Sequence, residues 1–168
     1  MRRSSKLITA VVALIVGIGA GIAAFTRAEV APEVRFTSLA GGTFTTSDLR
    51  GKVVLVNFWA TDCSTCMHEM PKMVQTYNTF APRGYEMVAV AMSYDHPNFV
   101  AAYAAKAKLP FKVALDTDGS IAREFGNVRV TPTTYLLDRR GRVLKQYLGE
   151  PDWTEFHALL ERTLADPA

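Results

Sequence analysis

From residue 29 onward, short apolar runs alternate with longer amphipathic stretches. The apolar runs are nearly continuous, which is typical of strands buried in a sheet. They predict strands over 53–58, 87–92, 111–115, 133–137 and 143–148. The amphipathic stretches predict helices over 64–80, 99–109, 121–125 and 153–164. This order predicts an α/β fold with a mixed central sheet and helices on both faces.

Residues 29–47 do not show this pattern. Gly41-Gly42 and the Thr-rich residues 43–46 indicate turns. We therefore expect a short linker and a polar lead-in before the first buried strand.

The N-terminal segment has the features of a membrane-targeting sequence. Residues 7–25 contain no charged side chain, and as a helix they would span about 28 Å, close to the thickness of a bilayer core. Arg2, Arg3 and Lys6 precede this run, so the positive-inside rule places the N-terminus in the cytoplasm. We expect residues 1–28 to be an uncleaved membrane anchor, with a cleaved signal peptide as the alternative. Both readings place residues 29–168 outside the cytoplasm.

Charge and cysteine content narrow the function classes. Of 19 basic residues, four precede Glu29, and none of the 16 acidic residues does, so residues 29–168 carry a net charge of −1. This balance excludes a basic nucleic-acid-binding domain. About 140 residues form one domain rather than two. Two cysteines exclude a disulfide-dense scaffold and a four-cysteine metal site.

Both cysteines lie where the first buried strand gives way to a helix, in Cys63-Ser64-Thr65-Cys66. Unpaired N–H groups and the helix dipole at that position stabilise a thiolate at Cys63. Cys66, three residues later, lies on the same side of the first helical turn and can close a disulfide. One thiol can therefore attack a disulfide and the other can resolve the mixed disulfide.

At this point the sequence resembles a known family. Residues 54–71, VLVNFWATDCSTCMHEMP, look like the active-site segment of thioredoxin-fold proteins. They are especially similar to membrane-anchored, extracytoplasmic thiol–disulfide oxidoreductases of the TlpA/ResA type. Those proteins share the lead-in at 48–52, the Asn-Phe-Trp-Ala at 57–60, Glu69, Pro71 and the Thr-Pro-Thr at 131–133. The resemblance covers about 34–164 and implies a thioredoxin-like fold.

The resemblance also implies roles for individual residues. Pro132 is expected to follow a cis peptide bond against the disulfide, which leaves the backbone of Thr131 free to pair with a substrate segment. Trp59 is expected to pack beside the site. Glu69, on the same helical face as Cys66, is expected to be anionic and either to raise the pKa values of the thiols or to act as a base for Cys66.

The sequence departs from the family pattern at three places. Asn57 stands where thioredoxin has a buried aspartate, so that proton acceptor is missing. Asp62 replaces the usual tryptophan before the first cysteine. The residues between the cysteines, Ser64 and Thr65, lack a proline, and this pair tunes the reduction potential in the fold.

The sequence thus predicts a reductase of disulfides in exported proteins, such as apocytochrome c or a copper-site assembly factor. A transmembrane thiol-reducing electron donor would keep it reduced, and no cofactor, metal or nucleic acid is expected. One alternative is a metallochaperone with Cys63, Cys66 and His68 as ligands. Another is a peroxiredoxin-like peroxidase, although the motif expected around a peroxidatic cysteine is absent. An oxidase or isomerase role also stays open, because the potential decides the direction.

Overall fold

The computed structural model describes residues 29–166, so the predicted membrane segment 7–25 lies outside the described residues. None of the helices described there is long and apolar enough to cross a bilayer. This part of the chain has seven strands: β1 (Arg35–Ser38), β2 (Thr43–Thr45), β3 (Val53–Trp59), β4 (Tyr85–Ala91), β5 (Lys112–Leu115), β6 (Thr133–Leu137) and β7 (Val143–Leu148). Its α-helices are α1 (Ser64–Phe80), α2 (Pro97–Ala107), α3 (Ser120–Glu124) and α4 (Trp153–Ala165).

The strands form one mixed sheet in the order β2-β1-β5-β4-β3-β6-β7. The central strands β3, β4 and β5 are parallel, and the remaining pairs are antiparallel. Every residue of β3 and β4 is buried, which explains their nearly continuous apolar sequence. The mixed sheet and the thioredoxin-like α/β architecture predicted from the sequence are confirmed.

Two apolar cores lie on opposite faces of the sheet. Because side chains alternate along a strand, Leu55 of β3 belongs to the core under α1, α2 and α4, whereas Val56 belongs to the core on the other face. The second core is closed by α3 and by Phe36 of β1. The alternation also directs Asn57 toward α1, which matters for the site.

The prediction that residues 29–47 are only a linker and a polar lead-in is wrong. They contain the β1–β2 hairpin, which extends the sheet at one edge through pairing with β5. The sequence pattern is weak here because Phe36 is the one fully buried side chain of β1. Its ring stacks on that of Phe44 in β2 at a centroid distance of 5.0 Å.

The topology brings three segments to one end of the sheet. Strands β3 and β4 run in parallel and finish there, and α1 begins there directly after β3. Strand β6 is antiparallel to β3, with Thr133 opposite Phe58, so the loop that precedes β6 reaches the same end. The cysteines and the Thr131-Pro132 loop therefore converge although 65 or more residues separate them in sequence.

Candidate active site

Cys63 and Cys66 form a disulfide at the start of α1, with their Cα atoms 5.2 Å apart. Cys63 is the N-cap of the helix, and its Sγ accepts a hydrogen bond from the Cys66 backbone N–H at 3.1 Å. Cys63 is half-buried, whereas Cys66 is fully buried. The first sulfur can therefore meet another protein, and the second is shielded by the core.

The turn before the cysteines is fixed by a residue that sequence reasoning missed. Asp95, in the loop after β4, accepts hydrogen bonds from the Thr61 backbone N–H at 2.6 Å and from the Thr61 hydroxyl at 2.7 Å. The Cys63 backbone N–H donates to the carbonyl of Ala60 at 3.2 Å. The sequence did contain a signal for this contact. Asp95 comes shortly after β4, and the carboxyl ends of the parallel strands β3 and β4 lie at the same edge of the sheet.

The Thr131-Pro132 peptide bond is cis, as the resemblance implied. The Pro132 carbonyl accepts a hydrogen bond from the Gly149 N–H at 2.8 Å, which anchors this loop to the segment after β7. The Thr131 hydroxyl lies 3.2 Å from that of Tyr94, which is exposed. Within residues 29–166 no backbone group bonds the Thr131 main chain, so its N–H and C=O are available.

Glu69 is buried on α1, one turn after Cys66, with 1% of its surface exposed. Its Oε1 accepts a hydrogen bond at 3.0 Å from the Asn57 side-chain amide, which also donates to Thr134 at 2.8 Å. Glu69 Oε2 has no hydrogen-bond partner in the described part of the chain. Burial raises the pKa of Glu69 to about 7, and the negative charge of Glu150 adds to this shift.

The expectation that Glu69 is simply anionic is therefore corrected. With its pKa raised to about 7 by burial, this carboxyl takes up and releases its proton near neutral pH. The sequence comparison indicated that Asn57 leaves this fold without its buried proton acceptor, and the structure changes that interpretation. Asn57 does lack a carboxylate, but the adjacent helix directs Glu69 onto its amide, so a carboxyl group occupies this buried place.

A polar cluster lies on the α1 side of the site. Glu150 contacts His68 Nδ1 at 2.8 Å, Lys72 Nζ at 3.0 Å and Trp153 Nε1 at 2.6 Å. Hydrogen bonds from these three groups, first of all Trp153, lower the pKa of Glu150 to about 2. The exposed His68 thus pairs with Glu150 and does not join the cysteines, and no group of three His, Cys, Asp or Glu side chains within residues 29–166 is arranged to hold a metal.

Of the remaining predicted site residues, one lies in the core and three lie at the surface. Trp59 is fully buried in the same core as Cys66 and packs against Tyr103 with ring centroids 5.5 Å apart. Asp62, Ser64 and Thr65 are exposed to solvent on either side of the half-buried Cys63.

An accessible sulfur bonded to a buried one can accept or deliver an electron pair by thiol–disulfide exchange. The fold and the site define a thiol–disulfide oxidoreductase with a thioredoxin-like fold. The sequence profile described as Redoxin matches residues 26–162. The chain belongs to this family, in which it groups with thiol–disulfide oxidoreductases of the ResA type.

Two relatives illustrate the similarity. The thiol-disulfide oxidoreductase ResA of Bacillus thuringiensis subsp. konkukian is 33% identical over 135 residues, which cover 79% of this chain and 75% of the relative. The protein of the same name in Bacillus subtilis is 34% identical over 133 residues, which cover 77% and 72%.

Solved structures agree with this assignment. A thiol:disulfide interchange protein of the thioredoxin family from Chlorobium tepidum is 28% identical, with a TM-score of 0.75, over 83% of this chain and 99% of that one. The thioredoxin domain of a thiol-disulfide oxidoreductase from Bacteroides vulgatus is 25% identical, with a TM-score of 0.68, over 79% and 96%.

Proposed function

We propose that this protein is an extracytoplasmic reductase of disulfides in exported proteins, such as apocytochrome c or copper-site assembly factors. In this proposal, residues 7–25 within the segment 1–28 anchor it in the bacterial inner membrane. Residues 29–168 then form a thioredoxin-like domain on the outer side. Cleavage of the segment as a signal peptide would give a soluble periplasmic protein with the same activity.

The observation that carries the proposal is the disulfide between a half-buried Cys63 at a helix N-terminus and a fully buried Cys66. In the reduced protein, the Cys63 thiolate attacks one sulfur of a substrate disulfide. The bond between Cys63 and that sulfur forms, the substrate S–S bond breaks, and the leaving sulfur takes up a proton. The Cys66 thiolate then attacks the Cys63 sulfur, which re-forms the disulfide seen here and releases the second substrate thiol.

Glu69 supports the second step as a proton acceptor for Cys66. It is buried on the same helical face, and its pKa of about 7 lets it take up a proton at neutral pH. The free main chain of Thr131 beside Pro132 supplies a pairing edge for an extended substrate segment. Trp59 lies in the same core as the buried Cys66, and Asp62 adjoins the half-buried Cys63.

The charges near the cysteines support the reducing direction of this proposal. No Lys or Arg lies between Lys52 and Lys72 in the sequence, while Asp62 adjoins Cys63. An anionic neighbour disfavours the thiolate, which makes the reduced form less stable and the protein a better reductant. Each turnover uses two electrons, so a transmembrane thiol-reducing partner must reduce Cys63–Cys66 again.

The reduction potential of Cys63–Cys66 tests this proposal. Equilibration with a thiol redox buffer should give a value near or below that of thioredoxin, about −270 mV, whereas a value near −120 mV would indicate an oxidase. Asp62→Asn should shift the potential toward less negative values because the thiolate gains stability. The matched variant Glu124→Gln, also exposed but on α3, should leave it unchanged.

A further inference from the structure

A basic cleft lies at the end of the sheet opposite the disulfide. Its volume is about 770 Å³, and it is lined by the turn between β6 and β7 and by the last turns of α4. The strand register gives this position: Leu137 pairs with Val54 at the start of β3, whereas Thr133 pairs with Phe58 next to the cysteine loop. Four residues of strand place the two levels roughly 13 Å apart.

Four arginines line the cleft, and two of them are engaged within the fold. Arg142 pairs with Asp138 through a contact of 2.6 Å between Nε and Oδ2. Arg139 donates to the backbone carbonyls of Gly51 at 2.8 Å and Leu164 at 3.2 Å. These two side chains hold the walls of the cleft in place.

The other two arginines, Arg140 and Arg162, are exposed, and neither guanidinium has an acceptor within residues 29–166. Asp138, which Arg142 neutralises, and Asp166 are the carboxylates in the lining. The cleft thus has an excess of two positive charges, although residues 29–168 have a net charge of −1. A guanidinium offers paired donors that fit the oxygens of a phosphate group.

The polypeptide enters the domain beside the β6–β7 turn, which forms one wall of the cleft. The Val143 N–H donates to the Glu29 carbonyl at 2.7 Å, and the Ala31 N–H donates to the Gly141 carbonyl at 2.9 Å. Residues 26–28 are then all that separates this edge from the proposed anchor at 7–25. Three residues reach at most about 10 Å, so an anchored domain would carry the cleft close to the bilayer surface.

We propose that Arg140 and Arg162 dock the domain onto the anionic phospholipid headgroups of the membrane that holds it. The inference rests on the membrane anchor of the proposed function. Clustered cations next to a membrane segment are attracted to anionic lipid surfaces.

The test uses the full chain reconstituted into vesicles of phosphatidylcholine alone or with about one third phosphatidylglycerol. Phenylglyoxal modifies exposed arginines, and peptide mass spectrometry gives the rate at each one. We expect Arg140 and Arg162 to react about fivefold more slowly in the anionic vesicles. Exposed Arg35 and Arg123, which lie outside the cleft, should react at the same rate in both.

Matched variants test whether protection from phenylglyoxal depends on Arg140 and Arg162 acting together. Arg140→Glu should abolish the protection of Arg162, whereas Arg35→Glu should preserve it. Adding inorganic phosphate to the phosphatidylcholine vesicles tests whether a free phosphate ion, rather than a lipid headgroup, protects the two arginines. Equal protection by free phosphate would overturn membrane docking in favour of a soluble phosphate ligand.

Two readouts on the same vesicles separate this inference from the proposed function. Flotation with phosphatidylcholine vesicles tests the anchor, and its failure removes the premise of docking. Reduction of a disulfide substrate tests the proposed activity independently of the arginines. An anchored, active protein whose Arg140 and Arg162 react equally in both kinds of vesicle would overturn the docking alone.

Discussion

The Glu69→Gln substitution tests whether one buried carboxyl group governs how stability depends on pH. Glu69 is almost completely buried, and its pKa in the folded protein is raised to about 7. In the unfolded chain the group is solvated, and its pKa returns to about 4.3. The folded state therefore holds this proton more tightly, and protonation of Glu69 favours folding.

The difference between these two pKa values corresponds to about 4 kcal/mol of unfolding free energy. This contribution is fully present below the unfolded pKa, near pH 4. It is lost as the pH rises toward about 7, at up to about 1.4 kcal/mol per pH unit, and the loss levels off above about pH 8. A glutamine at position 69 cannot ionise, so the variant lacks this decline.

Urea unfolding of the oxidised chain, followed by tryptophan fluorescence from about pH 4.5 to 8.5, measures the effect. The unfolding free energy of Glu69→Gln minus that of the native sequence should rise by about 3 kcal/mol across this range. Glu124→Gln, in which an exposed carboxyl is replaced, should follow the native profile. Parallel pH profiles for the native sequence and Glu69→Gln would refute the reasoning.

Three further predictions follow from the site and its supports. Cys66→Ser should accumulate mixed disulfides with substrates on non-reducing gels, because the accessible Cys63 attacks; equal accumulation by Cys63→Ser would contradict this order. Asp95→Ala should lower the unfolding free energy by about 1–3 kcal/mol in chemical denaturation, because it removes the acceptor of two hydrogen bonds in the cysteine loop; an unchanged midpoint would argue against it. A chain without residues 1–28 should unfold cooperatively and exchange disulfides, whereas removal of 1–33 should lower its midpoint through the loss of backbone bonds to the β6–β7 turn; identical midpoints would contradict this account.

The central strands and the helices could be predicted because their signal is local. Burial on both faces requires nearly continuous apolar sequence, so β3 and β4 were recognisable within a residue or two of their ends. Residues with strong positional preferences also mark where the helices begin. Helix α2 begins at Pro97, two residues before the predicted start, because a proline fits the first turn of a helix. Strands β1 and β2 escaped prediction because an edge hairpin that buries few side chains leaves little pattern.

The cysteine pair was also determined by local sequence. Cys63 and Cys66 lie three residues apart at the start of a helix, and helical geometry alone brings them within bonding distance. The expected cis bond before Pro132 came from the resemblance, since local sequence does not distinguish it from an ordinary proline. The structure places that loop at the cysteine end of the sheet through the antiparallel register of β6.

Only the tertiary structure decided the environment of these groups. Asn57 meets Thr134 across 77 residues, Thr61 meets Asp95 across 34, and His68 meets Glu150 across 82.

Burial and the proximity of charge are properties of such assembled neighbourhoods, because the dielectric around a group depends on every element packed against it. The sequence could place Glu69 on the face of Cys66, but not in the core against an amide, where its pKa approaches neutrality. It could count the arginines at 139–142, but the cleft with Arg162 exists only where α4 packs beside the β6–β7 turn.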